Sequence, residues 1–399
     1  MRIIHSMGHV VGGTLLIAGT TIGVGMLALP VATGPGGFLP ALVIYFICWL
    51  FMLCTGLLLL ELCLWMPKDT SFISMADRIL GPIGRSMFWV VYLFLFLTVM
   101  IAHVAGGGDV LNDITGWGLP SWIATVLYAA VFAPVVYLGA RSVDRLNLVL
   151  ISGVVLCYLA FIAVSIRSVD LHLLTHTDWG KAWYALPILF TAFTYQVIIP
   201  TLMTYMERNV HKIRLAIVLG SSIPLVIYVI WEFLILGIVP AEGPGGLIEA
   251  AKLGQNAVGP LKQFVQNPVI FQIGKYFAFF ALTTSFIPLA LSFFDFLADG
   301  LKWKKKGGNR ILLCIAVFGI PLAIALKYPH IFLVALGYAG GISCALLFGL
   351  MPPLMVWVGR YILRFPHETR QLPGGKPFLI VLMSFAFLIL LGEVITQVI

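Results

Sequence analysis

The sequence predicts an all-α polytopic membrane protein with eleven transmembrane helices. Three observations lead to that fold class. First, 61% of the 399 residues are hydrophobic and only 10% are charged, whereas soluble domains carry about 25% charged residues. Second, the chain contains a series of long apolar runs, and third, Lys and Arg are distributed unevenly among the loops between them. This composition excludes a soluble globular protein, and the high hydrophobicity excludes a disordered one.

The apolar runs define the predicted spans. A helix needs about 20 apolar residues to cross roughly 30 Å of hydrocarbon. The runs are continuous, unlike the alternating strands of a membrane barrel. The predicted spans are 8–32, 37–66, 85–107, 121–140, 146–166, 183–206, 214–239, 268–299, 311–326, 331–358 and 377–398.

The loop charges predict the orientation. With the N-terminus placed inside, 18 of the 24 Lys and Arg residues fall in inside segments, five fall in outside segments and Lys275 lies within the eighth span. Cytoplasmic loops are enriched in Lys and Arg, so we expect a cytoplasmic N-terminus and a periplasmic C-terminus. Topology therefore accounts for the net charge of +8 without a nucleic acid partner. The expected surroundings are the lipid bilayer, with no obligate protein partner and no cofactor.

The first span contains a segment that weakens a continuous helix. Residues 18–26 include three glycines and two threonines. Each Gly costs about 1 kcal/mol relative to Ala within a helix. In lipid, unpaired backbone groups must be satisfied by protein, water or a ligand. Taken alone, the Gly19 and Gly23 spacing fits close helix packing equally well.

The sixth span contains a second interruption. Thr194, Tyr195 and Gln196 are costly at this depth unless they face a cavity, and Pro200 removes a backbone donor. The first and sixth spans enter the membrane from opposite sides, so breaks in both predict an inverted-repeat transporter with a site near the midplane. The expected repeats are 1–166 and 183–358, followed by an additional span at 377–398.

The chemistry of such breaks suits a zwitterion. Helix N-termini offer amides to an anion, and helix C-termini offer carbonyls to a cation. An amino acid would place its carboxylate at the first break and its ammonium near the second. The predicted substrate-binding residues are Thr20, Thr21, Ile22, Gly23, Val24, Gly25, Phe193, Thr194, Tyr195 and Gln196.

The eighth span adds a candidate site for the coupling ion. Ala281, Thr284 and Ser285 share one helix face, and a carbonyl with two hydroxyls suits a hard cation. Hydroxyls bonded to the preceding helical turn explain the same residues structurally. No metal site other than one for sodium is expected.

Three titratable residues are candidates for a gate or a proton relay. Asp295 falls on the face of Thr284, nearer the cytoplasm, and Glu232 lies deep in the seventh span. His103 lies toward the outer end of the third span and has an ordinary pKa close to neutrality. Each residue also has a purely structural interpretation.

An enzyme and a passive channel are the alternative classes. The string from Gly106 to Asp109 fits the G-x-G-D pattern of an intramembrane aspartyl protease, but its expected partner Asp295 lies at the opposite end of the membrane. We attribute the glycines to a flexible outer loop and expect no enzyme. A channel would need a polar stripe along its pore, whereas the polar residues here concentrate at the breaks.

The segments 18–30, 220–226, 281–302 and 335–340 resemble the hydroxy/aromatic amino acid permeases. These are the tyrosine- and tryptophan-specific transport proteins of the amino acid/polyamine/organocation superfamily. The resemblance implies a LeuT-like fold of five plus five helices and one more. It also implies import of an aromatic L-amino acid across the bacterial inner membrane by proton-coupled symport with alternating access.

The resemblance leaves the coupling ion and the exact substrate open. Sodium-coupled members of the superfamily hold a cation between the first and eighth helices, and some proton-coupled members place a fifth-helix lysine there. The segment 146–166 has no Lys or Arg, so sodium-coupled symport of another neutral amino acid stays an alternative. At the sixth-span break, Thr194 to Val197 replace a Gly-Phe-His-Gly-like stretch. The matching cation-site positions are the carbonyls of Gly19, Ile22 and Ala281 and the hydroxyls of Thr284 and Ser285.

Overall fold

The architecture was established from a computed structural model that describes residues 2–68 and 70–398. Met1, at the start of the first predicted repeat, lies outside them. Ten helices in these residues are long and apolar enough to cross a membrane, and the bent pair Gly8–Thr21 and Val24–Thr33 supplies an eleventh span. The prediction of an all-α membrane protein with eleven spans is confirmed.

The first five spans follow the predicted order. They are Arg2–Thr21 with Val24–Thr33, Phe38–Trp65, Phe72–Thr115, Ser121–Leu138 and Ala140–Ser165. The third begins earlier than predicted because Ser71 caps it by accepting a hydrogen bond from the Ser74 amide. Arg78 and Arg85 end the apolar run but do not end the helix. Gly81, with φ 74°, kinks this helix before Pro82.

The second half contains one interrupted span, the sixth, and one continuous span with a π-helical middle, the tenth. The sixth comprises Trp179–Ala182, Trp183–Ala185, Leu186–Ala192, Gln196–Ile198 and Ile199–Tyr205, and the tenth comprises Phe332–Tyr338, Ala339–Leu350 and Met351–Tyr361. The seventh, eighth, ninth and eleventh spans are Val210–Leu236, Pro268–Gly300, Gly307–Lys327 and Gly375–Val398. Short helices Leu247–Lys252 and Leu261–Phe264 lie between the seventh and eighth spans, and 3₁₀ turns lie at Ile166–Ser168, Leu173–Thr175 and His367–Thr369.

Packing between spans positions the breaks. The first helix of the first span, Arg2–Thr21, packs on the seventh span, and the eighth span packs on the third and the fifth. The middle of the tenth span is a π-helix that packs on the sixth. A Cβ at Gly340 would collide with the Pro187 carbonyl oxygen, so only glycine allows this approach.

Our expectation of a flexible loop at Gly106 to Gly108 is wrong. These glycines are buried within the third helix. A Cβ at Gly107 would collide with the ring of Tyr128, and one at Gly108 with the Thr125 hydroxyl. The glycines therefore let the third and fourth helices pack closely.

A buried ion pair joins the second and tenth spans. The Arg360 Nε and Nη2 atoms donate to the two carboxylate oxygens of Glu61, at 2.7 and 2.6 Å. The Gln371 amide donates a third hydrogen bond at 3.0 Å. Glu61 is 0% exposed and Arg360 is 4% exposed, so the two charges neutralise each other inside the protein.

Candidate functional site

The break in the first span leaves backbone amides, rather than hydroxyls, without partners in the helix. The chain bends by 55° between Thr21 and Val24. The hydroxyls of Thr20 and Thr21 donate to carbonyls of the preceding turn, at 2.7 and 2.8 Å. The amides of Gly23 to Gly25 lie at the N-terminal end of the helix Val24–Thr33. Amides at the start of a helix lack intrahelical acceptors. This end has the geometry to receive a carboxylate.

The break in the sixth span runs from Phe193 to Tyr195. The Tyr195 hydroxyl donates to the Met52 carbonyl at 3.1 Å. The Gln196 side-chain amide donates to the same carbonyl at 3.3 Å and to the Thr55 hydroxyl at 3.2 Å. The structure therefore places both polar side chains against the second span. Their predicted role in side-chain selectivity stays a prediction.

Phe193 and Thr194 are differently placed. The Thr194 hydroxyl donates to the Phe190 carbonyl at 2.6 Å, in the manner of the threonines in the first break. The Phe193 ring is buried and meets the rings of Tyr228 and Tyr45 edge to face, with centroids 5.2 and 6.2 Å apart. The rings of Phe193, Tyr45 and Tyr228 thus form an aromatic wall beside the backbone of the sixth-span break.

The two breaks lie against each other. A Cβ at Gly25 would come within 2.8 Å of the Cα of Ala192. The Tyr228 hydroxyl of the seventh span lies 2.8 Å from the Thr21 carbonyl and 2.9 Å from the Ala192 carbonyl. One hydroxyl proton serves one carbonyl at a time, so this cluster has acceptor capacity left for a ligand ammonium.

Tyr228 was not predicted from the sequence. A tyrosine between Ile227 and Val229 is the only local signal, and it resembles an ordinary membrane-helix tyrosine. Its role depends on helix rotation, which an apolar span does not reveal.

The eighth span meets the first break at Gly23. A Cβ there would lie 2.9 Å from the Cβ of Ser285. The Thr284 hydroxyl lies 3.0 Å from the Ala281 carbonyl, and the Ser285 hydroxyl lies 3.2 Å from it. Ile22 is half-buried, whereas Gly19 faces open space because a Cβ there would meet nothing within 4 Å.

His103 joins this group from the third span. Its Nε2 lies 2.9 Å from the Ser285 Oγ, and its Nδ1 lies 2.7 Å from the Val99 carbonyl oxygen. The ring is 1% exposed and stacks on Phe286. The structure thus brings together a proton candidate and a coupling-ion candidate that the sequence predicted as separate sites.

Glu232 belongs to a different cluster. Its carboxylate accepts hydrogen bonds from the Thr33 hydroxyl and, at 2.6 Å, from the Tyr45 hydroxyl. This buried contact ties the seventh span to the helix Val24–Thr33 of the first span and to the second span. Its proposed proton role stays a prediction.

Asp295 lies at the end of the eighth span, in an ion pair with Lys305 at 2.7 Å. Lys305 is also 3.6 Å from Asp299. The hydrogen bond from Lys305 to Asp295 raises the lysine pKa above its ordinary value. The pair connects the loop after the eighth span to that same span, so the structure does not join Asp295 to the first span by this contact.

The position of Asp295 allows the gate prediction to be tested. We expect Asp295→Asn to leave thermal stability nearly unchanged, because exposed ion pairs contribute about 0–1 kcal/mol. The raised lysine pKa means that the pair's contribution is present at neutral pH and is lost only as pH rises through that pKa. Thermal melting at pH 7 measures the structural role of Asp295, and initial uptake rates measure its role in the gate. Unchanged uptake at unchanged stability would contradict the gate.

Comparison with known sequences gives one consistent result. A profile of the tryptophan/tyrosine permease family matches residues 7–393. The chain is 30% identical to the tyrosine-specific transport system 1 of Haemophilus influenzae, over 96% of each chain. It is 26% identical to the low affinity tryptophan permease of Escherichia coli K12, over 95% of this chain and 94% of that one.

A solved structure supports the fold independently. The chain is similar to MhsT in complex with L-phenylalanine, with a TM-score of 0.65 and 15% identity. The match covers 96% of this chain and 97% of MhsT. The similarity confirms the LeuT-like fold.

Proposed function

Because the chain belongs to the tryptophan/tyrosine permease family, we propose that it imports tyrosine or tryptophan by proton-coupled symport with alternating access. The relatives are transport proteins and permeases, so the protein is a transporter and not an enzyme. It is a multi-pass protein of a bacterial inner membrane. The cytoplasmic N-terminus remains part of the proposal.

The observation that carries the proposal is the meeting of the two breaks. The amides of Gly23 to Gly25 would bind the substrate carboxylate, because they lack partners within their own helix. The carbonyls of Thr21 and Ala192, which the Tyr228 hydroxyl now contacts, would bind the ammonium. A zwitterion satisfies both ends of this site at once.

The aromatic wall supports an aromatic side chain. Phe193 lies between Tyr45 and Tyr228 and is already in edge-to-face geometry with both. A substrate ring added to such a group gains contact area and favourable ring geometry, about 0.5–1.5 kcal/mol per pair beyond simple burial. An aliphatic side chain would gain only the burial.

The alternative is sodium-coupled symport of another neutral amino acid, and one observation favours its coupling ion. The Ser285 hydroxyl lies at the first-span break, with Thr284 and the Ala281 carbonyl beside it. These oxygens have the hard-ligand character that sodium requires. The two proposals differ in ion and in substrate, so each can be tested separately.

The substrate is tested by counterflow in proteoliposomes, which needs no ion gradient. Vesicles preloaded with unlabelled tyrosine are placed in labelled tyrosine, and competitors are added outside. We expect tyrosine, tryptophan or both to compete at least tenfold better than leucine or serine. Better competition by an aliphatic amino acid would overturn the aromatic assignment. If phenylalanine competed as well as tyrosine, the site would not distinguish substituents on the ring.

A further inference from the structure

We propose that a groove between the sixth, tenth and eleventh spans binds a membrane phospholipid whose headgroup ends in a primary ammonium, and that Glu393 accepts the hydrogen bonds of that ammonium. The residues that line the groove include none of those at the two breaks. The inference therefore goes beyond the proposed transport function and does not depend on which amino acid or ion is transported.

The shape and lining of the groove suit an acyl chain. Its volume is about 480 Å³, and most of its lining is apolar, including Leu186, Ile188, Leu333, Val334, Leu388 and Ile389. Val334 and Leu388 are exposed, and exposed apolar side chains of a membrane span contact lipid tails. Phe385 and Glu393 both line the groove and are eight positions apart on the eleventh span, which is about 12 Å along a helix. The groove is therefore elongated and opens to the bilayer.

One charged side chain interrupts this apolar lining. Among the lining residues that the structure describes, Glu393 is the one with a formal charge, and it is 6% exposed. A Cβ at Gly337, which also lines the groove, would lie 3.1 Å from the Glu393 Oε1. A Cβ at Gly341 would lie 2.7 Å from both the Cβ and the Cγ of Glu393. Two glycines of the tenth span thus make room for this acid, and an ionisable residue within a membrane span is a candidate for function.

The carboxylate specifies the headgroup. Its two oxygens offer about four acceptor sites, so Glu393 can accept from a lipid in addition to its interactions within the chain. A primary ammonium carries three N–H donors, and hydrogen bonds between two charged groups are about twice as strong as neutral ones. A choline headgroup has no N–H donor, and a glycerol headgroup has no positive charge. The groove therefore favours an ammonium lipid over both.

The depth of Glu393 matches the position of a headgroup. The eleventh span ends at Val398, five positions beyond Glu393, so the carboxylate lies about 8 Å from the end of this helix. Trp183 and Tyr184 line the groove where the sixth span begins, and both are exposed. Aromatic side chains of this kind concentrate at the membrane interface, and the indole N–H and the phenol O–H can donate to a phosphate. In the proposed orientation this end faces the periplasm.

A bound lipid would contact the helix that leads to the second break. Pro187 lines the groove, and a Cβ at Gly340 would collide with its carbonyl oxygen. Pro187 belongs to the helix Leu186–Ala192, which ends at the sixth-span break. Lipid in the groove would therefore hold this helix against the tenth and eleventh spans. Because a ligand that binds only the folded state stabilises it, we also expect the melting temperature to rise.

The test measures lipid binding without transport. Purified, delipidated protein in detergent is titrated with dioleoyl phosphatidylethanolamine or dioleoyl phosphatidylcholine, which share their acyl chains, and bound lipid is counted by native mass spectrometry. We expect the ethanolamine lipid to bind at least about tenfold more tightly, as one hydrogen bond to a charged group would provide. The N-methyl and N,N-dimethyl lipids should fall between the two, because each methyl group removes a donor.

Three variants identify the site. Glu393→Gln keeps the shape of the side chain without its charge, and should bring the two lipids to within about twofold of each other. Gly392→Leu should weaken binding of both lipids, because Gly392 lines the groove and a Cβ there would meet nothing within 4 Å. Glu242→Gln, at an exposed position in the loop after the seventh span, is the matched control and should keep the wild-type preference.

Several results would overturn the inference. The first is equal affinity of the wild type for the two lipids, and the second is an unchanged preference in Glu393→Gln. If that variant does not fold, the methylated lipids decide on the wild type, and affinities that do not fall as donors are removed would overturn the proposal. If Gly392→Leu changes the oligomeric mass in detergent and leaves lipid binding unchanged, a second copy of the chain and not a lipid occupies the groove.

Discussion

Gly25→Ala is expected to weaken substrate binding by roughly 5- to 150-fold. The added Cβ would lie 2.8 Å from both the Cα and the Cβ of Ala192, and a helix backbone cannot swing aside as a side-chain tip can. Forcing a methyl group into such a contact costs about 1–3 kcal/mol, which corresponds to that change in Kd. Binding of labelled tyrosine or tryptophan to purified protein gives the number directly.

The matched control for Gly25 is Gly319→Ala in the ninth span. A Cβ at Gly319 would lie 3.6 Å from Ile315, an ordinary van der Waals contact. The same substitution should therefore leave Kd unchanged there. Equal affinities for the two variants would contradict a substrate site built on the close approach of the first and sixth spans.

Arg360→Met is expected to lower the free energy of unfolding by about 3–5 kcal/mol, because it leaves the Glu61 charge buried without its partner. Adding Glu61→Gln should restore much of the loss, since the double variant buries no charge. Thermal unfolding in detergent, with monodispersity as a second measure, tests both. Lys181→Met removes an exposed ion pair with Asp178 and is the control expected to match wild type.

A different order of stability among these variants would contradict the role given to the ion pair. If Arg360→Met unfolded at the same temperature as the wild type, the ion pair would not hold the second span to the tenth. If the double variant were no better than the single one, the loss would come from side-chain packing rather than from an uncompensated charge.

The sequence was informative where local chemistry sets the structure. Long apolar runs placed all eleven spans. The glycines of residues 18–26 located the first break, and the polar cluster at 194–196 located the second. The start of the third helix was missed because a charged segment can remain helical outside the apolar run. Hydropathy measures transfer into lipid, whereas the Ser71 cap and backbone hydrogen bonds set the helix end.

The contacts between spans could not be predicted in the same way. His103 and Ser285 are 182 residues apart, and Tyr228 lies 207 residues from Thr21. Uniformly apolar helices carry little periodicity to show which face points inward. Tyr195 illustrates the limit, because its polar group suggested a binding cavity and the structure places it on the second span.

Concentrative uptake under separately imposed gradients tests the central claim most directly. Proteoliposomes receive labelled tyrosine or tryptophan with either an inward proton gradient or an inward sodium gradient, and internal substrate is measured against external substrate. The proposed mechanism predicts accumulation above the external concentration with the proton gradient alone, and its loss when a protonophore is added. Accumulation that requires sodium, or flux that equilibrates without accumulation as in a passive channel, would contradict proton-coupled symport.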